Sequence, residues 1–129
     1  MIVLAATAGG TFAVDPDEGD VVAADRFEPA PAPRLNLPRV VAAAEAGSTV
    51  VVVVDSRPPM LVSYDAGTTW RESGRGLPAG KAVAIADWNP DILAFAARNR
   101  LYISSNGGVF WTALPFELPE IEAVALRES

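Results

Sequence analysis

The sequence predicts an all-β protein built from repeated four-stranded units. Three observations lead there. The dipeptide Leu-Pro recurs at Leu37-Pro38, Leu77-Pro78 and Leu118-Pro119, 40 and 41 residues apart, and each copy precedes an Ala/Val-rich run: Val40 to Glu45, Ala82 to Asp87, Ile121 to Leu126. An offset of 41 lays Ser63–Trp70 (SYDAGTTW) on Ser104–Trp111 (SSNGGVFW), with Met60-Leu61-Val62 falling on Leu101-Tyr102-Ile103. Short apolar stretches between these markers are bounded by Gly, Pro and Asp, as strands are. A period near 40 with about four short strands per unit is that of a β-propeller blade.

Each element follows from alternation and turn residues. Residues 2–7, 11–14 and 20–26 read as three strands of a first blade that lacks its innermost strand. The second blade has strands near 40–45, 49–55, 60–64 and 69–73, and the third near 82–87, 92–97, 100–104 and 109–114. Residues 121–127 read as an innermost strand with no blade after it, which complements the first blade. The chain is thus one unit, with blades near 1–38 plus 120–129, 39–79 and 80–119. Three blades fall short of the four to eight that close a ring. The expectation is a homodimer forming a six-bladed ring, in which strand 121–127 of one chain completes the 2–26 blade of the other. An initiating Met1 and a polar Arg127-Glu128-Ser129 end favour a whole chain over a piece of a longer one.

Composition narrows the chemistry. The chain has 129 residues and is 50% hydrophobic, which suits one ordinary folded domain. Without Cys or His it has no disulfides, thiol nucleophile, His-based triad or usual zinc site. A net charge of −6 opposes sequence-independent binding to nucleic acid. Val50 to Val54 is far shorter than the ~20 apolar residues of a membrane helix, and the N-terminus lacks the basic start of a signal peptide. A cytoplasmic protein with no membrane partner and no cofactor is expected.

The strings around Trp70 and Trp111 carry a family resemblance. SYDAGTTW fits the pattern S-x-D-x-G-x-T-W in full, and SSNGGVFW fits it with Asn for Asp and Phe for Thr. The chain therefore resembles the BNR/Asp-box propellers, a group that includes sialidases, sortilin-type receptors, xyloglucan-hydrolysing glycosidases and photosystem II assembly factors. Residues 39–129 carry the likeness well and 1–38 poorly. The resemblance implies a tight turn joining the third and fourth strands of a blade. Ser63 and Ser104 open it, Gly67 and Gly108 supply positive φ, and Trp70 and Trp111 lie beneath. Asp65 or Asn106 accepts turn N–H groups, and an amide serves as well as a carboxylate, so both copies read as structural. Asp15 to Asp20 looks faintly like a calcium loop, but Arg26 occupies the twelfth position, where a Glu is needed. It reads as a degenerate copy of the same turn.

The resemblance also implies a working face opposite these turns. Arg34, Arg39, Arg57, Arg75, Lys81, Arg98 and Arg100 fall there, opposed by Glu28, Asp55, Glu117 and Glu120. Arg57 and the loop Arg98-Asn99-Arg100 are the candidate ligand-binding residues, for a carboxylate, phosphate or acidic sugar gripped by guanidinium forks. Glu45, Asp87 and Glu128 end the innermost strands on the other face and are weak candidates for a Ca²⁺ ring. No catalytic residue is assigned. Sialidases of this kind use a Tyr nucleophile, whereas Tyr64 and Tyr102 lie on third strands, where packing explains them. Asp55 with Glu117 or Glu120 forms the only carboxylate pairing a glycosidase could use. A binding or assembly module is the first reading, with itself and an anionic small molecule, acidic glycan or protein as partners. A lectin-like glycan or anion binder comes second and a glycoside hydrolase last.

Overall fold

The computed structural model describes residues 1–128. It contains β1 (Ile2–Thr7), β2 (Gly10–Asp15), β3 (Asp20–Ala23), β4 (Val40–Ala46), β5 (Thr49–Val54), β6 (Met60–Ser63), β7 (Arg71–Ser73), β8 (Ala82–Ile85), β9 (Leu93–Ala97), β10 (Arg100–Ser104), β11 (Thr112–Ala113) and β12 (Ile121–Arg127). They form three antiparallel four-stranded sheets: β12-β1-β2-β3, β4-β5-β6-β7 and β8-β9-β10-β11. No helix is present among the described residues, and so none is long and apolar enough to cross a membrane.

Side-chain chemistry explains the strand order within a sheet. β5 reads TVVVVV and is buried at every position. A β-branched run apolar on both faces belongs in the middle of a stack of sheets, and β5 sits between β4 and β6. The fourth strands are polar and short: β7 is RES and β11 only TA. The expected strand 109–114 shrinks to β11 because Val109 to Trp111 belong to the preceding turn.

The sheets pack face to face through two seams. Val51, Val53, Met60 and Val62 of the second sheet meet Val83, Leu93, Phe95 and Ala97 of the third. On its other face the third sheet offers Ala84, Ala94, Leu101 and Ile103 to Val3, Ala5, Val14 and Val124 of the first. The third sheet thus lies between the other two, and β8 lies beside both β4 and β12. A smaller cluster, Ala43, Val52 and Val54, covers the far face of the second sheet, with Leu35, Leu37, Leu61 and Trp70 against it. The three Leu-Pro leucines share one role. Leu118 lies in the first-to-third seam, Leu77 packs against the second-to-third seam, and Leu37 packs against this smaller cluster.

One expectation is corrected. β12 pairs with β1 of its own chain, from Ile2 opposite Arg127 to Thr7 opposite Ile121, rather than with another chain. The connection between the first two sheets permits this. Residues 24–39 form a sixteen-residue strand-free segment, against eight residues (74–81) and seven (114–120) for the other two connections. Fully extended, sixteen residues reach roughly 50 Å, enough to pass the third sheet. On the way Glu28, Pro29 and Ala30 lie against the inner strands in a hollow of about 290 Å³ that also holds Glu45 and Asp87. Glu28 therefore sits with the acidic strand ends, not with the basic loops as expected. Ser129, the last residue of the segment assigned to the first sheet, lies outside the described residues.

Candidate functional site

The antiparallel order puts three turns at one end of the sheets. Residues 63–70 join β6 to β7, 104–111 join β10 to β11, and 15–20 join β2 to β3, each linking a third to a fourth strand. In the first turn Ser63 Oγ accepts the N–H of Gly67 at 2.8 Å and donates to Asp65 Oδ1 at 2.7 Å. Asp65 Oδ1 also accepts Thr69 N–H at 2.8 Å, and Oδ2 accepts the Thr69 hydroxyl at 2.6 Å. These bonds, led by the Thr69 hydroxyl, lower the Asp65 pKa from 3.8 to about 2. The second turn repeats the pattern with an amide: Gly108 N–H to Ser104 Oγ at 2.9 Å, and Phe110 N–H to Asn106 Oδ1 at 3.0 Å. In the third, Asp15 Oδ1 accepts the N–H groups of Asp17 and Glu18. The sequence missed one feature. Two successive residues take positive φ, Ala66 (58°) with Gly67 (90°) and Gly107 (71°) with Gly108 (90°).

These turns are tied into the packing. Trp111 packs against the second-to-third seam, and its indole N–H donates to Ser73 Oγ of the second sheet at 2.9 Å. Ser73 in turn donates to the Gly108 carbonyl, and Tyr64 donates to the Gly107 carbonyl at 2.6 Å. A Cβ on Gly108 would stand 3.0 Å from Ser73 Oγ and 3.2 Å from Val62 Cγ2. The second Gly is therefore demanded by close approach as well as by φ. Trp70, the counterpart of Trp111, lies on the far face of the second sheet.

The opposite end carries the basic loops. Arg98, with φ 55°, and Asn99 form the β9–β10 hairpin turn, whose carbonyls accept the N–H groups of Ile121 and Leu118. Both line one shallow hollow with Leu118 and Glu120. Arg100 is held elsewhere: its guanidinium meets Glu117 at 3.0 Å and reaches the Leu114 carbonyl at 3.4 Å. Arg57 belongs to the β5–β6 loop and lines a separate hollow of about 280 Å³ with Pro58, Pro59, Arg75 and Leu77. Arg75 stands at the corner of a turn closed by Leu77 N–H to the Gly74 carbonyl at 2.9 Å. Gly76 follows it with φ 88°, as the third residue of a type II turn requires. So Arg98 and Asn99 come together, while Arg57 pairs with Arg75. Among the described residues the only ion pair is Arg100–Glu117.

Glu45 and Asp87 share the hollow occupied by Glu28, whereas Glu128 is not among its lining residues. No group of three acidic side chains that could hold a metal ion occurs among the described residues. Compared with known proteins, the chain matches no family model and no curated protein.

Proposed function

We propose that the protein is a non-catalytic binding or assembly module: a half-propeller of the Asp-box kind that closes into a six-bladed ring with a second copy. In this reading it presents its basic loop end to an anionic ligand or acidic partner. The observation that carries the reading is the half-built seam on the second sheet. Val52 lies opposite Leu61 as Phe95 lies opposite Tyr102, and Trp70 matches Trp111. Phe95, Tyr102 and Trp111 pack on the second sheet; on the far face Val52 is already buried with Leu35 and Leu37 against it, so the half-buried Leu61 and Trp70 supply the apolar surface for another sheet. The first sheet supplies the other face, buried at Leu4 and open at Val22. Leu4, Ala13 and Val22 stand in one row across it, away from the third sheet, and Val22 is 58% exposed. Pairing these faces twice, about a two-fold axis, joins six sheets in a ring, within the range that propellers occupy.

Arg57 and Arg98 supply the anion-binding groups, since neither guanidinium has a protein partner among the described residues. A glycan or small-anion binder of lectin-like kind is the second reading, favoured by the same free forks. Titration calorimetry with sulfate and phosphate, inorganic anions that need no sugar platform, tests the free forks that both readings share. The R57A/R98A double variant is expected to lose anion binding with a melting temperature close to wild type, because exposed charges contribute ~1 kcal/mol or less. Binding that survives the double change, or the absence of binding at millimolar anion, overturns the ligand assignment and leaves a protein partner.

A further inference from the structure

We propose that a second groove, where β7 meets the 104–111 turn, binds a carboxylated carbohydrate. This goes beyond the loop-end reading and depends on neither Arg98 nor ring closure. The groove has a volume of about 400 Å³ and is lined by Tyr64, Arg71, Glu72, Arg75, Gly108 and Val109, among others. That volume lies in the range of ligand clefts, ~300–1,000 Å³.

Three features of the groove match an acidic sugar. The first is a fixed aromatic platform. Tyr64 is 43% exposed, yet its hydroxyl is anchored across the seam to the Gly107 carbonyl at 2.6 Å. A Cβ on Gly107 would stand 3.2 Å from the ring, so glycine there gives the ring its room. An exposed ring with its polar tip already satisfied offers an apolar face to the C–H side of a pyranose. The second feature is a pair of exposed guanidiniums, Arg71 and Arg75, which have no hydrogen-bond or ion-pair partner among the described residues. Planar forks of this kind bind a carboxylate through two parallel N–H bonds. The third is that no carboxylate opposes the anion there: Arg71 lies opposite Val62 but Glu72 opposite Leu61, so the Glu72 side chain leaves from the other face of β7.

The site extends beyond one sugar. Arg75 and Pro58 also line the adjoining hollow of about 280 Å³ that contains Arg57. The combined trough carries three arginines and one glutamate among its lining residues, so it favours an oligomer with repeated negative charge. Glu72 is the only carboxylate lining it, short of the pair that most glycosidases use, and the Tyr64 hydroxyl is tied to the Gly107 carbonyl instead of being free as a nucleophile. The groove therefore holds the sugar and does not cut it.

The test is calorimetry with trigalacturonate, its neutral galactose counterpart and a glutamate tripeptide, against wild type and the variants R71A/R75A, Y64A, Y64F and R98A. Trigalacturonate is expected to bind, the neutral trisaccharide at least about tenfold more weakly, since charge-assisted bonds outweigh neutral ones. R71A/R75A should lose about tenfold or more, Y64A should lose a similar factor, and Y64F, which keeps the ring, should stay within about threefold. R98A should bind as wild type, which separates this site from the loop-end one. R71A/R75A alters only exposed side chains and should melt as wild type, so a folding defect in Y64A leaves the test intact. Equal binding of the neutral sugar, or trigalacturonate binding that R71A/R75A leaves unchanged, overturns the proposal. Tighter binding of the peptide, unaffected by Y64A, replaces the sugar with an acidic polypeptide and also overturns it.

Discussion

Asp65 shows how much one turn residue does without being catalytic. Its carboxylate is saturated by Ser63 and Thr69, and those bonds favour the ionised form. Because its folded pKa, about 2, lies below the ordinary 3.8, its contribution to stability is complete above pH 3.8 and fades as pH falls toward 2. Asp65→Asn should therefore melt near wild type at neutral pH, as Asn106 already serves in the sister turn. It should also show a flatter melting temperature between pH 4 and 2, measured by circular dichroism. A large loss at pH 7 would contradict the structural role. Ala66 is strained where its counterpart Gly107 is not, since an L side chain at φ 58° crowds the backbone. Ala66→Gly should raise stability by about 1 kcal/mol in urea unfolding, against the usual direction for an Ala-to-Gly change. The sequence made the Ser-x-Asp-x-Gly roles readable because they are local. It hid the Tyr64, Ser73 and Trp111 bonds, which join residues 35 to 43 positions apart across a seam.

Strand order and pairing were largely legible, because alternation and turn residues mark short strands well. The closing strand illustrates the limit. The pattern at 121–127 says that the strand completes the first sheet, but complementarity alone does not say from which chain it comes. The length of the 24–39 segment was the available cue, being about twice that of the other connections. Removing residues 121–129 should prevent folding of the first sheet, since β1 would lose its partner along six positions and expose an apolar edge. Loss of the cooperative melt, with aggregation on a sizing column, is the expected outcome. Gly80 tests the packing of β9 in the same spirit. A Cβ there would lie 2.0 Å from the ring of Phe95, a fully buried side chain. Gly80→Ala should cost about 1–3 kcal/mol by overpacking, read from urea midpoints. A change within error would mean that the connection before β8 yields freely. The charge at the loop end was legible as composition but not as pairing, because Arg100 meets Glu117 only once both loops are placed.

For the molecule as a whole, the proposed ring would close through two partly exposed faces, one on the first sheet and one on the second. Val22 is the most exposed apolar residue of the first sheet's open row, and Trp70 is only partly covered on the second. Val22→Glu would put a charge into the joint without touching the interior of one chain, so it should dissociate the pair while leaving each chain folded. Light scattering coupled to gel filtration measures this directly. The proposed ring requires a mass of twice 13.5 kDa for the wild type and a single-chain mass for Val22→Glu with an unchanged circular dichroism spectrum. A wild-type protein that elutes as a stable 13.5 kDa species at high concentration would contradict it.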